Sequence, residues 1–67
     1  MAVDIKGKEV NVGDTIIFTT YEGLAQGTII KRTASGFKIQ GDESYRWERF
    51  INEYYTDKKV YVIKTKQ

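Results

Sequence analysis

The chain has 67 residues, of which 40% are hydrophobic and 13% aromatic, and it contains no cysteine, no histidine and no proline. These absences exclude a disulfide framework, a Ser-His triad, a cysteine nucleophile and most zinc sites. Eleven Lys and Arg against nine Asp and Glu give a mild net charge of +2. The length predicts one small domain (residues 1–67). The missing residue types predict a protein that is not an enzyme and needs no cofactor or metal.

No segment has the composition of a targeting or membrane-spanning element. Residues 1–8 lack the apolar stretch of a signal peptide, and no apolar run approaches the roughly 20 residues that cross a bilayer. There is also no glycine-rich phosphate loop, and the adjacent pair Asp42 and Glu43 has the context of a solvated loop. We therefore expect a cytoplasmic protein with no membrane partner.

The first twelve residues alternate apolar and polar side chains on either side of a glycine. Residues 3–5 and 10–12 are the alternating stretches, and residues 6–8 between them have the composition of a tight turn. The pattern predicts an opening hairpin, with a single extended arm as the alternative. It leaves open whether residues 1–12 join the main fold.

A first strand is predicted at Thr15–Thr20, directly after Gly13 and Asp14. Every residue of this stretch is β-branched or aromatic, which favours a strand over a helix. Its alternation places Ile16 and Phe18 on one face.

Two further strands are expected to follow as a meander. Residues 21–27 form a glycine-bearing connection to a second strand at residues 28–33. A short turn then leads to a third strand at residues 37–40, with Phe37 and Ile39 facing inward.

The hydrophobic period changes after Gly41. Apolar residues recur at positions i, i+3, i+4 and i+7, which is one face of a helix: Trp47, Phe50, Ile51 and Tyr54. This spacing predicts a short helix or a pair of helical turns over residues 47–55, and a brief strand at residues 45–47 is the alternative start. A final strand follows at residues 60–64.

Together these elements predict a mainly β fold: a small barrel of about five short antiparallel strands, with one short helix before the last strand. Four or five short strands cannot hide their edges as a flat sheet. Curling into a barrel protects those edges and lets one thin core serve every strand.

The first two strands also carry a family resemblance. Val12-Gly13-Asp14, Ile16 and Phe18, Gly23-Leu24 and Gly27-Thr28-Ile29 form a Gly-Asp turn, an alternating strand, a glycine-bearing loop and a second strand. This arrangement resembles the KOW pattern over about residues 12–39. The resemblance implies a Src-homology-3-like (SH3-like) barrel of the KOW or Tudor type. It also implies contact with nucleic acid, as in ribosomal or transcription-associated proteins.

Basic and aromatic side chains are the strongest candidates for a binding surface. Cationic groups neutralise phosphates, and exposed aromatic rings stack on bases. We predict a nucleic-acid surface, for DNA or RNA, formed by Lys31, Arg32, Lys38, Arg46 and Arg49 with Tyr21 and Tyr45. The alternative is that these cations only fill the solvent-facing positions of alternating strands.

The aromatic residues after Gly41 allow two interpretations. Their helical spacing predicts that Trp47 and its neighbours cover the open end of the barrel, whereas converging rings would form an aromatic cage for a methylated side chain. Tyr55 falls off the helical face and is expected to be exposed.

A protein-interaction module is the alternative function. Acidic residues return around the predicted helix, and mixed charge suits a protein partner better than nucleic acid. Such an adaptor, inhibitor of a larger enzyme, or phage or accessory protein would bind through its helix, its exposed tyrosines or an edge strand. The predicted contacts are Tyr55, Tyr61, Ile63 and Glu53, and the chain would be a monomer or a weak homodimer.

Overall fold

The computed structural model describes residues 2–41 and 47–65. Five strands form one antiparallel sheet: β1 (Thr15–Thr20), β2 (Gly23–Arg32), β3 (Gly36–Gly41), β4 (Glu48–Asn52) and β5 (Val60–Lys64). A 3₁₀ turn (Glu53–Tyr55) and the one-turn helix α1 (Thr56–Lys59) connect β4 to β5. The predicted mainly β domain of five antiparallel strands, with one short helix before the last strand, is confirmed.

The sheet order is β4-β3-β2-β1-β5, so the first four strands are a meander and the last strand returns beside the first. Every strand contributes to one hydrophobic cluster, whose members are Ala2, Val10, Ile16, Phe18, Ile29, Phe37, Ile39, Ile51, Val60 and Val62. A flat five-stranded sheet with strands about 4.8 Å apart would leave this face open to water. Because these side chains are buried in a single cluster, the sheet curls around them.

The first three strands follow the sequence prediction closely. Ile16 and Phe18 of β1 are buried, as are Phe37 and Ile39 of β3. Strand β2 begins at Gly23, earlier than predicted, because a two-residue turn pairs Thr20 with Gly23 and the pairing continues from there. Gly23 has a φ of 121°, a conformation that glycine adopts without the cost other residues incur.

The segment predicted as a helix at residues 47–55 is corrected to a strand followed by a shorter helical stretch. Residues 48–52 form β4, which pairs with β3 from Gly36↔Asn52 to Gln40↔Glu48. Ile51 is buried, whereas Phe50 and Tyr54 are exposed, so the predicted apolar helix face does not exist. Phe and Ile favour strands, and pairing along the whole of β3 outweighs a helix too short to be stable by itself.

The opening residues join the fold. Val3 and Glu9 form an antiparallel bridge, and the Val10 N–H donates to the Ala2 carbonyl at 3.1 Å. Ala2 and Val10 belong to the hydrophobic cluster. The predicted opening hairpin is therefore found, and residues 2–12 are part of the domain.

A buried carboxylate fastens this hairpin to the last strand. Asp4 is 1% exposed. Its Oδ1 accepts the N–H groups of Lys6 and Lys8, and its Oδ2 accepts that of Val62, all at 2.9 Å. Burial raises the pKa of the Asp4 carboxyl, but these three N–H donors and the nearby Lys6 charge leave the pKa below its ordinary value.

The Gly-Asp turn is also tied into the sheet. Gly13 has a φ of 97°, and Asp14 is buried with its Oδ2 accepting the Asn11 N–H at 2.9 Å. The Asp14 carbonyl accepts the Ile29 N–H at 3.0 Å, which aligns the start of β1 with β2.

Candidate functional site: an aromatic and basic groove

Two of the predicted phosphate contacts lie side by side. Lys31 of β2 is directly opposite Lys38 of β3, and both are exposed. The Lys38 Nζ lies 3.1 Å from the Glu48 Oε1 of β4, so a carboxylate already neutralises part of this pair. The structure therefore brings Lys31 and Lys38 together as expected, and Glu48 of the end strand β4 lies beside Lys38.

Arg32 lies on the other face of the sheet from Lys31. It is opposite the buried Phe37, and its guanidinium carbon is 4.6 Å from the centre of that ring. Its Nη2 lies 2.5 Å from the Glu53 Oε1, and its Nη1 donates to the Gly36 carbonyl at 3.1 Å. Arg32 thus covers the rim of the core, and its partner is one of the residues predicted to contact a protein.

A bulge in β2 sets this arrangement. Ile29 pairs with Ile39 and Lys31 with Lys38, so Ile30 is the extra residue. Beyond the bulge, Lys31 and Arg32 alternate faces as neighbours in a strand do. The adjacent pair therefore cannot act as one basic patch.

The remaining predicted contacts divide between the described and undescribed parts of the chain. Tyr45 and Arg46 lie outside the described residues. Tyr21 is fully exposed at the tip of the β1–β2 turn, and Arg49 is exposed on β4.

Tyr21 and Arg49 both line a groove of about 370 Å³ between the end of β1 and strand β4. Phe18 and Ile51, both buried, line it from the core side. The exposed aromatic and basic residues that line it define what we call the aromatic groove: Tyr21, Arg49, Phe50, Tyr55 and Lys59. The Phe50 ring itself lies on the opposite face of β4 from Ile51, where its Cζ would be 2.8 Å from a Cβ at Gly36.

The charge of the aromatic groove is of one sign. Arg49 and Lys59 line it, and none of the described residues that line it is Asp or Glu. The Lys59 Nζ lies 5.3 Å from the centre of the Tyr55 ring, within the range of a cation–π contact. The groove can therefore offer flat aromatic surfaces and positive charge to the same ligand.

Sequence reasoning separated the members of this groove. It assigned Tyr21 and Arg49 to nucleic acid and Tyr55 to a protein partner, and it missed Phe50 and Lys59. Phe50 was placed on the buried helix face, although strand alternation with the buried Ile51 would have exposed it.

Trp47 packs against the hydrophobic cluster rather than into a cage. Its ring meets that of Phe18 edge to face, with centroids 5.8 Å apart and an interplanar angle of 67°. It also covers Gly41, where a Cβ would lie 2.5 Å from the indole Nε1. Tyr54, by contrast, is 75% exposed. The covering role predicted for Trp47 is therefore found without the predicted help of Phe50 and Tyr54.

The two predicted contacts on β5 are exposed. Tyr61 and Ile63 alternate with the buried Val60 and Val62, as the sequence pattern predicts. They line a surface depression together with Lys6 and Lys8 of the opening hairpin.

Within residues 2–41 and 47–65, no helix has the length and apolar character needed to cross a membrane. The same residues hold no group of three or more Asp and Glu side chains arranged to bind a metal ion.

Comparisons with known proteins place the chain in a family without assigning it an activity. Neither the curated proteins nor the solved structures that were compared match it. The KOW-type resemblance over about residues 12–39 thus stays a prediction. One family profile, described as a domain of unknown function (DUF7205), matches residues 2–65. Since this match covers nearly all of the chain, the protein belongs to the DUF7205 family.

Proposed function

We propose that the protein is a non-catalytic module that binds single-stranded nucleic acid, DNA or RNA, in the aromatic groove. One observation carries this proposal: the exposed residues Tyr21 and Tyr55 and two cationic residues line the same groove, and no Asp or Glu lines it among the described residues. The function rests on this site and not on the fold, because small β-barrels serve many unrelated functions.

Stacking favours a single strand over a duplex. Unpaired bases expose flat faces that can lie on Tyr21 or Tyr55, whereas the bases of a duplex are already stacked on each other. The Tyr21 ring is fully exposed to water. A base that stacks on this ring would remove apolar surface from water, which favours binding.

The cations are placed to contact the phosphates of a stacked strand. Lys59 lies beside the Tyr55 ring and Arg49 lies on β4, so phosphates that flank a stacked base would be close to positive charge. Arg49 and Phe50 also border a shallow depression on the outer sheet face that reaches Lys31 and Lys38. A strand leaving the groove over β4 would reach these lysines, which accounts for the larger predicted surface.

A second candidate function is the addition of a partner protein's strand to β4, which is the end strand of the described sheet. The Gly41 N–H donates to the Trp47 carbonyl, and the Glu53 N–H donates to the Ser35 carbonyl. In an antiparallel ladder, the backbone groups of Glu48 and Phe50 then point away from β3. This open edge could pair with an extended peptide.

The proposal is tested with fluorescein-labelled oligo(dT) and oligo(U) of about twelve nucleotides, by anisotropy at low and near-physiological salt. We expect binding that weakens as salt rises. Tyr21→Ala and Tyr55→Ala should each raise Kd, because loss of one base–aromatic contact costs about 1–3 kcal/mol, or about 5- to 150-fold.

Two control variants match the groove residues. Tyr54→Ala removes an exposed tyrosine beside Tyr55, and Lys58→Gln removes a lysine beside Lys59, and neither residue lines the groove. Both controls should bind as the unaltered protein does. Equal weakening by groove and control variants, or no binding of any oligonucleotide at either salt concentration, would refute the proposal.

A further inference from the structure

A second concave surface lies between the opening hairpin and β5. It has a volume of about 490 Å³ and is lined on both sides by basic side chains, and we call it the lysine pocket: Lys6, Lys8, Tyr61, Lys64 and Thr65. The Lys6 Nζ lies 4.7 Å from the centre of the Tyr61 ring. None of the described residues that line the pocket is Asp or Glu.

The backbone of this pocket is fixed by Asp4. The carboxylate accepts the N–H groups of Lys6 and Lys8 from the hairpin and that of Val62 from β5. The Ile5 N–H also donates to the Val60 carbonyl at 2.9 Å. These bonds hold the hairpin lysines beside Lys64 before any ligand arrives, so less ordering is needed on binding.

The hydrogen-bond partners of the Asp4 carboxylate are backbone N–H groups and not the ammonium groups of the surface lysines. Asp4 is 1% exposed, and both of its oxygens accept backbone N–H groups. Three lysines therefore line one depression, and the Asp4 carboxylate beneath it is enclosed in the fold. Such a focus of positive charge attracts anions, most strongly those with several charges.

We infer that the lysine pocket is a second phosphate-binding site for the single-stranded nucleic acid held in the aromatic groove. This inference rests on the proposed function. Lys59 of the groove immediately precedes β5, and Lys64 of the pocket ends it. The two lysines are separated by about 17 Å at 3.3 Å per strand residue, so a strand longer than the groove can reach both.

The test compares the salt dependence of binding for the dinucleotide dTpdT, which is too short to reach both sites, and for oligo(dT) of about twenty nucleotides. The Lys6→Gln/Lys8→Gln/Lys64→Gln variant should lower the slope of log K against log salt for the long oligonucleotide by about 2, since each phosphate contact contributes about 0.7 on a single strand. It should leave binding of the short oligonucleotide unchanged. Lys58→Gln is the control, and thermal unfolding checks that all variants are folded.

The outcomes separate this inference from the proposed function. If Tyr55→Ala weakens both oligonucleotides but the triple variant leaves the long-oligonucleotide slope unchanged, the groove stands and the lysine pocket is refuted. If the triple variant lowers that slope while groove variants have no effect, the lysine pocket binds phosphates, but the groove is refuted and with it the inferred strand that spans both sites. If the triple variant instead loses binding only to vesicles of phosphatidylcholine and phosphatidylserine, the pocket is a lipid site and the inference is overturned.

Discussion

At the scale of single residues, Asp4 joins two parts of the chain that are far apart in sequence. Its Oδ2 accepts the Val62 N–H, a contact across 58 residues, while its Oδ1 closes the hairpin turn. Asparagine would keep one acceptor oxygen, and its amide NH₂ would then face an N–H donor at the position of the other oxygen. Hydrogen bonds to a charged acceptor are stronger than neutral ones, so this buried carboxylate stabilises the fold despite its burial.

Asp4→Asn should lower the free energy of unfolding at neutral pH by about 1.5–3 kcal/mol, as expected for the loss of a charge-assisted hydrogen bond. Urea unfolding measures this loss, and Glu9→Gln, at an exposed carboxylate of the same hairpin, is the control.

The pKa of Asp4 is lowered in the folded state from 3.8, so its contribution is fully present above that value and disappears as pH falls through the lowered pKa. The difference in stability between Asp4→Asn and the unaltered protein should therefore shrink in strong acid. A difference that stays constant down to about pH 2 would show that the charge does not contribute.

At the scale of elements, β4 forms one wall of the aromatic groove, and its position depends on its close packing against β3. Gly36 of β3 is buried, and a Cβ at this position would meet the Ile51 carbonyl oxygen and lie 2.9 Å from the Asn52 Cα. Both contacts are backbone atoms, which cannot rotate away. The absence of a side chain at residue 36 thus lets β4 pair with β3 and present Arg49 and Phe50.

Gly36→Ala should destabilise the domain by about 1–3 kcal/mol through overpacking, and it should also weaken oligonucleotide binding because β4 must shift. Thermal unfolding and anisotropy measure the two effects. The neighbouring Ser35 is exposed, so Ser35→Ala should change either quantity little. A stable Gly36→Ala protein with unchanged affinity would show that the close approach is not required.

At the scale of the whole molecule, one hydrophobic cluster connects the opening hairpin to the sheet. Val10 of the hairpin belongs to this cluster and lines the same depression as Phe37 and Arg32. In the sheet, Trp47 packs against Phe18 of the same cluster. A domain this small has a total stability of about 3–10 kcal/mol at 0.05–0.15 kcal/mol per residue. The two parts are therefore expected to unfold together as one unit.

Val10→Ala should cost about 2 kcal/mol and lower Tm by about 10 °C, since it removes two buried methyl groups. Fluorescence of Trp47, the only tryptophan, and far-UV circular dichroism should report the same transition. Separate transitions from the two probes would show that the hairpin unfolds independently of the sheet.

Much of this architecture could be predicted from local patterns. The β-branched alternation of Thr15–Thr20 determined which face of β1 is buried, and Phe37 and Ile39 did the same for β3. The lack of His and Cys excludes a disulfide framework, a Ser-His triad and a cysteine nucleophile whatever the fold. These inferences succeed because side-chain alternation depends only on the strand itself.

Other features depended on contacts between distant residues. The spacing of Trp47, Phe50 and Ile51 is compatible with a helix, and pairing with β3 made that segment a strand. The bulge at Ile30 turned Arg32 toward Phe37. The curl of the sheet placed Tyr21 in the same groove as Arg49 and Tyr55. Strand pairing, register and curvature are set by which distant surfaces can be buried together. By itself the sequence determined the apolar faces, and only the tertiary structure decided which aromatic and basic residues share a groove.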